Sequence, residues 1–133
     1  MKAIEARITK SLPFGARLNV CDNSGSKIIR IFSVYKHKTV KGRYQAAGVG
    51  DMVNCSIIKG KPGTKKETVQ AIIVRQKKEF RRKTGERVKF EDNSAVVLKD
   101  DKGNPKGTII KGPIAKEVAA KWPAVAKIAS AIL

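Results

Sequence analysis

The chain has 133 residues and a formal charge of +18, from 29 Lys and Arg against 11 Asp and Glu. That length suits one domain, 1–133, with a sufficient core, and a 41% hydrophobic share excludes a disordered basic tail. The excess is the electrostatic footprint of a nucleic-acid binder, and its spread over both halves, +8 in residues 1–60 and +10 in 61–133, predicts RNA on several sides.

In chain order, residues 1–15 form a leader of weak pattern that ends in the turn signal Pro13-Phe14-Gly15. Ala16 to Cys21 alternates, with Leu18 and Val20 on one face, and reads as a strand. Asp22-Asn23-Ser24-Gly25 is a turn, and Ile28 to Tyr35 is a β-branched and aromatic strand, so the two strands should pair as a hairpin. Lys36, His37, Lys38, Lys41 and Arg43 then form a basic loop beside Tyr44. Cations flanking an aromatic suit RNA, because the charge meets phosphate while the ring stacks on a base. The bland alternative is an exposed hairpin tip. Gly48-Val49-Gly50-Asp51 lacks the following helix that a dinucleotide cradle needs, and reads as a tight turn into the strand Met52–Lys59. A second basic loop carries Lys61, Lys65 and Lys66.

Residues 71–98 organise the chain. Ala71-Ile72-Ile73-Val74 and Ala95-Val96-Val97-Leu98 are apolar runs, each predicting a strand buried on both faces. From Arg75 to Lys89 lie Arg75, Lys77, Lys78, Arg81, Arg82, Lys83, Arg87 and Lys89, eight basic residues against two acids, with a turn at Thr84-Gly85 and Val88 and Phe90 on one strand face. A merely solvated surface mixes both signs, because packed like charges destabilise a fold, so this hairpin points to a polyanion.

After a turn-rich stretch at 100–107, Thr108-Ile109-Ile110 is expected to be a short strand. Six or seven short strands joined by Gly/Pro turns imply a small antiparallel barrel over about 14–111. The period then changes: Ile114, Val118 and Trp122 recur at helical spacing, and Pro123 opens a second helix bearing Val125 and Ile128, giving a helical segment over about 113–133. These five apolar residues either dock on the barrel or contact a protein partner. Cys21 and Cys55 lie in apolar runs without metal-ligand spacing and read as buried thiols in a reducing cytoplasm; no metal or cofactor is expected. Met1–Arg7 lacks an apolar h-region, so no secretory leader is expected, and no membrane partner either.

Leu18-Asn19-Val20-Cys21-Asp22-Asn23-Ser24-Gly25, Ala47-Gly48-Val49-Gly50-Asp51, the run 71–98 and Gly112-Pro113-Ile114-Ala115-Lys116-Glu117 together resemble the universal large-subunit ribosomal protein L-fourteen family. Arg75-Gln76-Lys77-Lys78, Phe90-Glu91-Asp92-Asn93 and Lys121-Trp122-Pro123 are similar to its archaeal and eukaryotic branch. Thr84 departs from the Asp, Asn or Ser usual before the glycine, but the turn is kept. The resemblance implies a mainly β protein, a five-stranded barrel with a projecting basic hairpin and two short C-terminal helices. It implies binding to large-subunit rRNA at the subunit interface, with small-subunit rRNA contacted in an intersubunit bridge. Neighbours would be ribosomal proteins L-three and L-twenty-four-e, with a C-terminal surface like that bound by the anti-association initiation factor. Lys41, Arg43 and Tyr44 match the family's basic loop, and Arg81-Arg82-Lys83 its hairpin. A free single-strand binder with aromatic platforms is the rival reading, disfavoured because Phe32, Tyr35 and Phe90 fall in strands where core packing is expected. A nuclease built on His37, the only histidine, lacks a supporting acid pair.

Overall fold

A computed structural model describes residues 8–35, 45–62 and 66–133. The strands are β1 (Leu12–Pro13), β2 (Arg17–Val20), β3 (Ser26–Val34), β4 (Ala46–Ala47), β5 (Met52–Gly60), β6 (Thr68–Arg75), β7 (Phe80–Arg81), β8 (Arg87–Val88), β9 (Ser94–Leu98) and β10 (Pro113–Ile114). Two short helices follow, α1 (Lys116–Lys121) and α2 (Pro123–Lys127), then β11 (Ala131–Ile132).

Five strands close a barrel in the order β2-β3-β5-β6-β9. Four of the pairings are antiparallel, but the pair that closes the ring, β2 with β9, is parallel: Asn19 faces Ser94 and Val20 faces Ala95. The barrel interior holds Leu18, Ile29, Ile31, Val53, Cys55, Ile57, Ala71, Ile73 and Ala95. Alternate residues of the same strands point the other way. Ile72, Val74, Val96 and Leu98 form a second core with Phe80, Ile110, Ile114, Ala115, Val118 and Val125. Contiguous aliphatics in β6 and β9 are therefore needed because both faces of these strands are covered. They anchor the hairpin that hangs between them.

The C-terminal segment departs from the expected helices. Pro113–Ile114 does not begin α1; it pairs in parallel with Ala131–Ile132, and the Leu133 N–H donates to Ile114 O at 2.9 Å. Neither helix exceeds six residues, and such short helices are held by packing rather than by propensity. Thr108–Ile110 forms no strand. Ile110 makes an isolated bridge to Asp22, while the Asn23 side chain ties down the Thr108 and Ile109 amides and Ile109 stays exposed.

Both cysteines are free and buried, and burial pushes the Cys21 thiol up to about 11 and the Cys55 thiol up to about 12. No helix among the described residues is long and apolar enough to cross a membrane, and no cluster there could hold a metal ion.

Candidate nucleic-acid interface

The hairpin starts where β6 leaves the barrel. Arg75, the last residue of β6, does not project. Its Nε lies 3.1 Å from Asp92 Oδ1, its Nη2 donates to Ser94 Oγ at 2.9 Å, and its side chain retains 13% exposure. Its guanidinium packs so closely on Gly112 that a Cβ there would stand 2.2 Å from Nη1. Arg75 thus joins both ends of the hairpin to the 111–113 segment.

Gln76, next in line, is fully buried. Its Oε1 accepts the Val49 N–H at 2.9 Å, and its Nε2 donates to Lys78 O at 2.9 Å and Thr9 O at 3.2 Å. The same geometry removes the Gly48–Asp51 turn from consideration as a phosphate cradle. The Gly48 N–H is taken by Asp51 Oδ2, that of Val49 by Gln76, that of Gly50 by Ile73 O and that of Asp51 by Gly48 O. An anion needs free amides, and this turn has none.

β7 and β8 pair as Phe80 with Val88 and Arg81 with Arg87. Gly85, at φ +92°, and the Gly85 N–H donating to Arg82 O shape the tip. Period-two geometry then splits the cations. Phe80 is buried, and Arg82, on the same side, lies 5.8 Å over its ring. Arg82 Nε pairs with Glu117 Oε1 of α1 at 2.7 Å, and its Nη2 donates to Leu133 O at 2.5 Å. Its side chain is 17% exposed. Arg81 points outward. Arg81, Lys77, Lys78 and Lys89 are exposed and carry no ion pair among the described residues. Lys83 is exposed, and Arg87 pairs with Glu79 at 2.8 Å in solvent. The expected row of hairpin cations is thus two populations. Arg75 and Arg82 fasten the hairpin to the body, while Lys77, Lys78, Arg81 and Lys89 present uncompensated charge.

Of the other expected RNA-binding residues, Lys36, Lys38, Lys41, Arg43 and Tyr44, together with His37, lie outside the described residues, as does Lys65. Lys61 and Lys66 are exposed at the loop between β5 and β6; Lys66 has φ 71°, and its N–H donates to Ile57 O.

Of the two readings open for the five apolar residues of the C-terminal segment, the packing is that of docking on the barrel. Ile114, Val118 and Val125 are fully buried in the second core, and Trp122 and Ile128 pack against it. Trp122 Nε1 donates to Gly50 O at 2.8 Å, and its ring covers Gly103. The helical pair docks on its own barrel because β6 and β9 offer it an apolar outer face. Exposed apolar surface at this end falls instead to Ile109, Ile132 and Leu133.

Two further residues carried no sequence signal strong enough to single them out. Asp22, buried, accepts the Val97 N–H at 3.0 Å and the Ser24 N–H and hydroxyl, holding β9 to the turn after β2. Phe32, expected in the core, is exposed.

Known proteins resemble this chain along its whole length. Large ribosomal subunit protein uL14 of Nanoarchaeum equitans is 53% identical over 133 residues, covering all of both chains. Proteins of the same name from two strains of Methanococcus maripaludis are 48% identical over 132 residues, covering 99% of each chain. These relatives fit the archaeal cast of the sequence. The model of the family described as ribosomal protein L14p/L23e matches residues 11–133, and the chain belongs to that family of structural, non-enzymatic ribosomal proteins.

Proposed function

We propose that this chain, acting as one domain, is a structural constituent of the large ribosomal subunit that grips rRNA with its basic hairpin. Its place of action is the ribosome in the cytoplasm. The observation that carries the reading is the set Lys77, Lys78, Arg81 and Lys89, exposed and without acidic partners among the described residues, on a hairpin fastened at its base by Arg75 and near its tip by Arg82. Each cation that meets a phosphate releases condensed counterions, so affinity falls steeply with salt. Arg81 forks onto two phosphate oxygens, while the lysines act as point charges. These two anchors keep the ordering cost of binding small. No proton or group transfer is involved.

The loop cations Lys36, Lys38, Lys41 and Arg43, with Tyr44, extend the same contact, and Lys61, Lys65 and Lys66 contribute at the second loop. The chain sits at the subunit interface, reaches small-subunit rRNA in an intersubunit bridge, and neighbours ribosomal proteins L-three and L-twenty-four-e. The exposed apolar end at Ile109 and Ile132 is offered to protein, including the anti-association initiation factor. A sucrose gradient of lysate tests the assignment. Stoichiometric sedimentation with the large subunit through a high-salt wash is expected; recovery only at the top of the gradient would overturn it.

A further inference from the structure

The outer face of β3 carries an arrangement that the hairpin does not explain. In the ring β2-β3-β5-β6-β9, β3 is the strand that neighbours neither β6 nor β9, so its outer surface faces away from the strands that hold the hairpin. There Arg17 and Arg30 are direct cross-strand partners, both exposed and without an acidic partner among the described residues. Like charges placed directly opposite destabilise a sheet. Two residues along the strand, Phe32 is 40% exposed. Strand alternation places it on the face of Arg30, and the register between β3 and β5 shifts between Ile31 and Ser33, so Phe32 is also the extra residue of a bulge and has no partner on β5. Gly15 donates its N–H to Ile31 O and Ala16 O accepts the Ile31 N–H. The 14–16 segment therefore runs beside 31–33 and brings a second ring, Phe14, 52% exposed, to the same end of the strand. The Arg30 guanidinium lies over Gly15, with Nη2 3.7 Å from where a Cβ would be.

We infer that Phe32, flanked by Arg30 and Arg17, is a second RNA-contact site that stacks an unpaired base and holds its flanking phosphates. This deepens the proposed rRNA-binding role and rests on it. The ring supplies a face that any base can stack on, and the arginine pair supplies the charge complement of a phosphodiester backbone. RNA fits better than an apolar protein surface, because covering Phe32 with such a surface would bury two facing cations for which the described residues supply no counter-charge. Its place on the outer face of a barrel strand turns the ring outward before RNA arrives, so stacking costs little ordering.

The test uses the full chain and two fluorescent RNA probes, a blunt hairpin duplex and the same hairpin with an eight-nucleotide adenine tail. Phe32→Leu is expected to weaken binding of the tailed probe roughly five- to hundred-fold, the range for loss of one stacked base, and to leave the duplex unaffected. Phe32→Trp should retain tail binding, with its emission quenched on addition of tailed RNA. Lys77→Gln with Lys78→Gln and Arg81→Gln should weaken both probes, which separates the two sites. Wild-type affinity of Phe32→Leu for the tailed probe, alongside weakened binding by the hairpin variant, would overturn the stacking site and leave the hairpin standing. Absence of salt-dependent binding by the wild-type chain would overturn both. In assembled large subunits, Phe32→p-benzoylphenylalanine should cross-link to RNA; adducts with protein alone would overturn the assignment.

Discussion

Arg82 Nε sits 2.7 Å from Glu117 Oε1, and through this ion pair the basic hairpin is fastened to the first C-terminal helix. Neighbouring Arg81 makes no such bond and stands in solvent. Two adjacent arginines therefore have separable roles. Arg82→Ala leaves the Glu117 carboxylate, 11% exposed, without its partner and should lower stability by about 3 kcal/mol. Arg81→Ala should stay within about 0.5 kcal/mol of wild type. Urea unfolding of the two variants checks the contrast, and equal midpoints would contradict it.

Binding should divide the other way. Replacing Lys77, Lys78, Arg81 and Lys89 together by Gln removes four phosphate partners. The slope of log affinity against log salt should then shrink by about 3. Filter binding of an rRNA fragment between low and moderate salt measures it. An unchanged slope would move the contact elsewhere on the chain.

The thiols give a pH signature. In the unfolded chain a cysteine ionises near 9.0, whereas burial raises Cys21 to about 11, with Arg75 pulling partly against it, and Cys55 to about 12. The folded state holds both protons more tightly than the unfolded state. The stabilisation is therefore complete below pH 9 and is lost as pH climbs from 9 to 12, by about 2 kcal/mol per thiol at pH 11. Unfolding free energies at pH 8 and pH 10.5 should fall more for wild type than for Cys21→Ala with Cys55→Ala.

Two glycines with similar backbone angles should tolerate alanine differently. Gly85, at φ +92°, has open space where a Cβ would go, so Gly85→Ala pays only the left-handed backbone strain of about 1 kcal/mol. At Gly103, φ +95°, a Cβ would lie 2.6 Å from Trp122 Cε3. Gly103→Ala must also displace the ring and its bond to Gly50, for about 3 kcal/mol in all. Melting temperature reads the cost, and emission of Trp122, the sole tryptophan, reports the displaced ring.

The parts of the fold legible in the sequence are those written in contiguous residues. The aliphatic blocks at 71–74 and 95–98 announce strands covered on both faces, and Gly85 announces the hairpin tip between them. What escaped depends on contacts far along the chain. Pro113 looks like a helix start until Ala131 pairs beside it, and the sequence leaves the apolar stripe of the two helices open between barrel and partner until the outer face of β6 and β9 covers it. The period-two rule, applied from the apolar Phe80, does place Arg82 on the inner side, so that distinction was available in the sequence. The same rule, applied from the charged Arg30, also places Phe32 on the outer face; what it does not show is the bulge that leaves Phe32 without a partner on β5.

The most direct test of the hairpin's grip is a competition for incorporation. Wild type and the Lys77, Lys78, Arg81, Lys89→Gln variant are co-expressed, and large subunits are isolated after a high-salt wash. Their occupancies are then compared by mass spectrometry, with melting temperatures measured on the free proteins. Equal melting temperatures with the variant strongly depleted from washed subunits is the predicted result. Equal occupancy of the two proteins would contradict it, and would show that RNA is held without the hairpin's free cations.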